Sequence, residues 1–166
     1  CDPDAHQVKK GNAWHFGYKA HIRVDQNTGL VHHVEVTGAN VHDVTMVPKL
    51  LTGEETQVYG DSGYLGAEKR EETVRLNTQG RKIKYKTNRR PSQSKHCPAR
   101  SQAQIKRREH EKPSIRAKVE HVLGIVKGRF GYCKTRYRVL RRQSAKLNMI
   151  FALANRYLAD TRGLLA

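Results

Sequence analysis

The chain has 166 residues, and 32 Lys and Arg outweigh 15 Asp and Glu to give a formal net charge of +17. That length suits one ordinary domain, and the charge excludes an acidic solvating tail and points to a polyanionic partner. Leu, Ile, Val and Phe supply about a fifth of the residues, just above the level at which so charged a chain stays disordered.

From Trp14 to Asp25 the sequence alternates with period two. Trp14, Phe16, Tyr18, Ala20, Ile22 and Val24 fall on one face, and His15, Gly17, Lys19, His21, Arg23 and Asp25 on the other, which predicts a strand with one buried apolar face. Asn27-Thr28-Gly29 is turn chemistry, and the β-rich Leu30–Thr37 stretch completes an antiparallel hairpin. Asp43 reads as the N-cap of a short helix through Leu51, with Gly53 as its stop. Gln57–Gly60 is a short strand that delivers Asp61-Ser62-Gly63-Tyr64 at its C-terminal end. A solvated helix over Ala67–Leu76 and a further strand over Lys82–Lys86 follow. Residues 87–112 read as a basic loop or insertion. Pro113-Ser114 opens a helix to about Gly128, and Ser144–Ala159 carries apolar residues at helical spacing. The pattern is mixed α/β and forms one domain over 1–166.

No apolar run approaches the roughly 18 residues of a membrane span, and no signal peptide opens the chain. Cys1, Cys97 and Cys133 form no CxxC pair and read as structural thiols of a reducing compartment. His32-His33 and His96-Cys97 lack the spacing of a zinc site.

Charge is divided along the chain. Residues 1–80 hold 8 basic and 11 acidic side chains, residues 81–112 hold 12 and 2, and residues 113–166 hold 12 and 2. Enzymes of nucleic acids need such a division, with carboxylates to hold metal ions and Lys and Arg to hold phosphates. On a helix advancing about 100° per residue from Arg116, Glu120 falls at about 40° and Lys127 at about 20°, at the edge of an apolar stripe. The plain alternative is a surface ion pair of Arg116 with Glu120, worth a few tenths of a kcal/mol. Asp61, at the C-terminal end of a strand, is the second carboxylate, and its plain alternative is an Asx-turn. Two or three such carboxylates can hold two divalent ions, which activate a water or a 3′-hydroxyl and stabilise the leaving oxygen of a phosphodiester. Mg²⁺ suits such a site, because it takes few protein carboxylates and keeps water and substrate oxygens.

Four segments carry a family resemblance. They are Lys10–His21, Ala39-Asn40-Val41-His42-Asp43, Asp61-Ser62-Gly63-Tyr64, and Ser114–His121. In order and content they are similar to bacterial insertion-sequence transposases of the DDE superfamily, from about Asp2 to Leu158. The resemblance implies an RNase H-like sheet with flanking helices and cut-and-paste chemistry on DNA ends. It implies Asp61 as the second catalytic Asp and Glu120 as the catalytic Glu, both metal ligands for Mg²⁺ or Mn²⁺ in a two-metal mechanism. Arg116, Glu120 and Lys127 match the R(3)E(6)K part of the family signature, while the tyrosine that opens it in related groups would fall at Pro113. Arg116 and Lys127, with Lys19 and His21 on the polar strand face, become candidate DNA contacts. A solvated strand face is the alternative for Lys19 and His21. The implied partners are double-stranded DNA, as terminal inverted repeats and target site, and a second copy in a synaptic homodimer; the implied location is the bacterial cytoplasm and its nucleoid.

The family's first catalytic Asp sits on an apolar strand upstream of the hairpin, and nothing before Trp14 reads as one. Asp2, Asp4, Asp25 and Asp43 are not assigned that role. The expectation is the C-terminal part of a transposase, without its first, central strand and without the usual N-terminal DNA-binding region, poorly active or inactive alone. The competing readings are a non-catalytic basic DNA-binding remnant and an RNase H-like nuclease without strand transfer.

Overall fold

The structure, a computed structural model, describes residues 2–74, 83–87 and 115–164. Nearly all of the basic loop expected at 87–112, and the end of the helix expected over Ala67–Leu76, lie outside the described residues. The chain divides into two compact units, 1–41 with 118–166, and 42–117. Both mix strands and helices.

In the first unit, β1 (His6–Lys10), β2 (Ala13–Val24) and β3 (Val31–Gly38) form an antiparallel sheet. β1 pairs with the first part of β2, from His6↔Gly17 to Lys10↔Ala13, and β3 pairs with the rest, from Tyr18↔Gly38 to Val24↔Val31 with an irregularity at Arg23/Val24. β2 and β3 follow the period-two reading closely. β1 corrects it, because a strand does precede Trp14. Its sequence, HQVKK, has no apolar face to betray it. It forms because Gly11 takes a φ of 60° while Asn12 does not, and that pattern turns the chain tightly back on itself.

A helix, α3, occupies 115–124 and continues as a π-helical turn over Ile125–Arg129. Phe130 N–H donates to the Ile125 carbonyl at 3.1 Å, the i→i+5 bond that defines such a turn. α4 runs from Leu140 to Thr161, longer at both ends than Ser144–Ala159. Val31 and Val36 of β3, Val122, Ile125 and Val126, and Leu147, Ile150, Phe151, Ala154 and Leu158 of α4 make one buried cluster. Each large apolar side chain removed from water there contributes about 1.5–3 kcal/mol.

The apolar face expected for β2 is only partly buried. Tyr18, Ile22 and Val24 pack against that cluster, while Trp14 and Phe16 are each 66% exposed. The expected polar face is not uniformly solvated either, since His21 retains only 2% of its exposure.

In the second unit, a 3₁₀ turn (Asp43–Met46) runs into a single helical turn, α1 (Val47–Leu50). β4 (Gln57–Gly60) pairs in parallel with β5 (Lys84–Thr87), and the connection between them includes α2 (Glu71–Val74), as a parallel crossover requires. β5 lies two residues beyond the start expected at Lys82. Val47, Leu51 and Ala67 form the buried centre, with Val58, Tyr64 and Tyr85 against it. The two sheets share no strand among the described residues. None of the described helices is long and apolar enough to cross a membrane.

Candidate functional site

Asp61 stands directly beyond the last residue of β4, where the strand ends and a 3₁₀ turn, Ser62–Tyr64, begins. It is the N-cap of that turn. Its Oδ1 accepts the Ser62 N–H at 2.6 Å, and its backbone is extended at φ −75°, ψ 172°. The Asx-type bond and the functional placement therefore coexist. One oxygen organises the turn, and the side chain stays 58% exposed. Arg116 of α3 brings its Nη2 to 3.9 Å from Asp61 Oδ2. Both side chains are a third or more exposed, so the pair is worth at most about 1 kcal/mol of stability. It places a guanidinium beside the carboxylate without burying either.

Two further residues gather around this turn. Asp43 does not cap its helix, because His42 is the N-cap residue and Asp43 is the first residue inside the 3₁₀ turn. That corrects the expected N-cap. The Asp43 carboxylate instead lies against Gly63. A Cβ added at Gly63 would stand 2.9 Å from Asp43 Oδ2, so only glycine leaves that oxygen where it is. Tyr64 is the other neighbour. Burial, and then the charges of Asp43 and Asp61, push its phenol up to about 12. Two carboxylates thus bear on one hydroxyl. The motifs that hold them are 18 positions apart, and no local pattern joins them.

The remaining expected residues belong to the first unit. Glu120 is exposed on α3, one helical turn after Arg116. Lys127 is exposed within the π-helical turn, so the regular 100° advance that set it in line with Arg116 and Glu120 does not hold past Gly124. Lys19 is half-buried on β2, and its ammonium donates to the Val41 carbonyl at 2.7 Å. His21 is buried, with Nε2 at 2.9 Å from Thr37 Oγ1. The solvated strand face offered as the alternative for His21 does not hold, since the side chain is buried.

Asp61 and Glu120 are each exposed, and each is a hard-oxygen donor of the kind that suits Mg²⁺ or Mn²⁺. Among the described residues no three His, Cys, Asp or Glu side chains come together as a metal cluster.

A carboxylate at the end of a parallel strand and a cationic second half are features that enzymes and binders of polyanions share. The comparison with known families is specific: the chain belongs to the transposase DDE-domain family, which matches residues 1–156. No solved structure matches it.

Proposed function

We propose that this chain contributes residues to the strand-cleavage and strand-transfer site of a DNA transposase acting at insertion-sequence ends, and is poorly active or inactive alone. The observation that carries the reading is Asp61, an exposed carboxylate at the end of β4 with Arg116 beside it, in a chain that belongs to the DDE-domain family. Asp61 and Glu120 are the catalytic carboxylates and the residues that hold the divalent ions. Bound Mg²⁺ or Mn²⁺ supplies Lewis-acid activation of the attacking oxygen and stabilisation of the leaving one. The third acidic ligand of the family's chemistry is assigned to no residue here. Arg116, Lys127 and Lys19 hold phosphate oxygens of the duplex. His21 is enclosed against Thr37, so its part is to fix the strand that carries Lys19. The RNase H-like arrangement, the synaptic dimer and the nucleoid location are part of the same reading.

The test is joining of a free 3′-OH DNA end to a target duplex in the whole transposase. Asp61→Asn and Glu120→Gln should each abolish both cleavage and joining while DNA affinity stays unchanged. Joining that survives in either variant overturns the assignment. Cleavage without joining in the parent protein would identify a nuclease instead, and binding without either would leave a DNA-binding remnant. With six to ten phosphate contacts, affinity should fall about 10³–10⁵-fold between about 50 and 200 mM salt.

A further inference from the structure

The most exposed large hydrophobic side chains of the first unit sit together. Trp14 and Phe16 are each 66% exposed, two positions apart on β2, and therefore on the same face. Their cross-strand partners on β1 are Lys9 and Gln7, which share that face because directly paired residues project to the same side. Both partners are exposed. The Lys9 ammonium stands 5.9 Å from the centroid of the Trp14 ring, within cation–π range. The hairpin from His6 to Gly17 contains no carboxylate.

We propose that this outer face of the β1–β2 hairpin, formed by Trp14, Phe16, Lys9 and Gln7, is a stacking platform for unpaired nucleotide bases. The inference rests on the DNA-transposase reading and adds to it a site for single-stranded DNA.

Three features select that occupant. Side chains two residues apart on a strand stand about 7 Å apart. That is twice the ~3.4 Å stacking repeat of DNA, so the gap between the two rings takes one base. Stacking on aromatic rings is indifferent to base identity and needs the base faces to be open, which a closed duplex does not offer. Lys9 supplies a cation for the adjoining phosphate, and the exposed Gln7 amide supplies a donor and an acceptor for a base edge. A partner protein of ordinary composition would use the rings but has no need of a hairpin that is cationic and itself free of carboxylates.

Trp14 is the only tryptophan of the chain, so its emission reports this face alone. The experiment follows Trp14 fluorescence while a labelled oligothymidylate, a duplex with an unpaired 3′ end, or a closed duplex is added, with the anisotropy of the DNA label as an independent measure of binding. The expected result is quenching by the first two at concentrations well below any effect of the closed duplex. Phe16→Ala, an exposed site whose loss does not threaten folding, should weaken oligothymidylate binding about tenfold and leave closed-duplex affinity unchanged. Trp14→Ala should do the same when read by anisotropy. Anisotropy that rises on single strands while Trp14 emission stays constant overturns the platform and leaves the transposase reading intact. No anisotropy change with any DNA overturns both. An emission shift that depends on protein concentration and not on DNA overturns the platform too, and assigns the face to a second copy.

Discussion

Asp4 accepts the backbone N–H of Leu140 at 2.9 Å across 136 positions of sequence, and in doing so caps the first turn of α4. Asp2 adds a second tie, receiving the Val139 N–H at 3.3 Å on each oxygen. Val139 is held at φ 71°, a conformation that a β-branched residue adopts only under constraint, at a cost of order 1–3 kcal/mol. The residue before α4 has no capping side chain of its own, so the start of this helix is stabilised by the opening segment of the chain. Asp4→Ala should destabilise the protein by about 1 kcal/mol, seen as a fall of a few degrees in the melting midpoint. Asp4→Asn, which keeps an acceptor, should lose much less. Equal losses from the two variants would show that the contact does not act as a cap.

Asn155 ties α4 to the sheet in a similar way. Its Nδ2 donates to the Val31 carbonyl at 2.7 Å, and its Oδ1 accepts the Val31 N–H at 2.8 Å. Both backbone groups of a buried residue are thereby satisfied by one side chain. Asn155→Ala would leave a donor and an acceptor at Val31 without partners, at about 1–3 kcal/mol. Asn155→Asp keeps the acceptor but cannot donate to the carbonyl, and should be at least as damaging. Chemical denaturation at neutral pH measures both. A loss under about half a kcal/mol in the alanine variant would mean that water replaces the amide at Val31.

Acid stability should depend on two carboxylates of the first unit. The Tyr18 hydroxyl donates to Asp2 at 2.7 Å and is the main cause that holds Asp2 below the ordinary carboxylate range. Asp25 is held low by the Thr28 N–H at 2.6 Å, by the Thr28 hydroxyl at 2.8 Å and by the Asn27 N–H. A group lowered in the folded state contributes stability above its unfolded pKa, about 3.9, and loses that contribution as pH falls through the folded value. The melting midpoint should therefore be flat near neutrality and decline from about pH 4 downward. Asp25→Asn should lower the plateau and shallow that decline. An unchanged acid limb in this variant would show that the turn does not depend on the charge of Asp25.

What the sequence discloses about this fold follows the range of the forces involved. Alternation over Trp14–Asp25 and helical spacing at Leu147, Ile150, Phe151, Ala154 and Leu158 are local, and the strand and helix they predict are present. β1 has no such pattern and exists because a two-residue turn pairs it with β2. The outer half of the apolar face, at Trp14 and Phe16, is open because alternation says which side chains share a face and nothing of what covers it. His21 shows the reverse: a polar position that the fold encloses and satisfies with Thr37. At the candidate site, Asp61 was legible as the residue that ends a short strand before a glycine turn. The approach of Asp43 to Gly63, and the bearing of both carboxylates on Tyr64, come from tertiary packing that brings separate motifs together. The family resemblance reaches further than local pattern, because order and content of whole motifs carry information that periodicity does not.

Tyr64 offers an optical reading of the Asp61 environment. Its phenol is pushed up to about 12, first by burial and then by the negative charges of Asp43 and Asp61. The neutral phenol is therefore favoured in the folded protein. An unfolded chain ionises its tyrosine near 10, so the stability that Tyr64 contributes is complete below pH 10 and is lost as pH rises from there towards 12. Ultraviolet titration of the phenolate, with Tyr64→Phe as the blank, isolates this group. Asp61→Asn removes one of the two charges and should bring the Tyr64 titration down, though not to 10, because burial is the larger cause. Arg116→Ala removes the cation 3.9 Å from Asp61 and should move it up. Opposite shifts in these two variants would establish that Asp61, Arg116 and Tyr64 form one electrostatic unit at the end of β4. A Tyr64 that titrates near 10 and ignores both substitutions would separate the hydroxyl from the carboxylate, and would leave Asp61 with only its turn and its arginine.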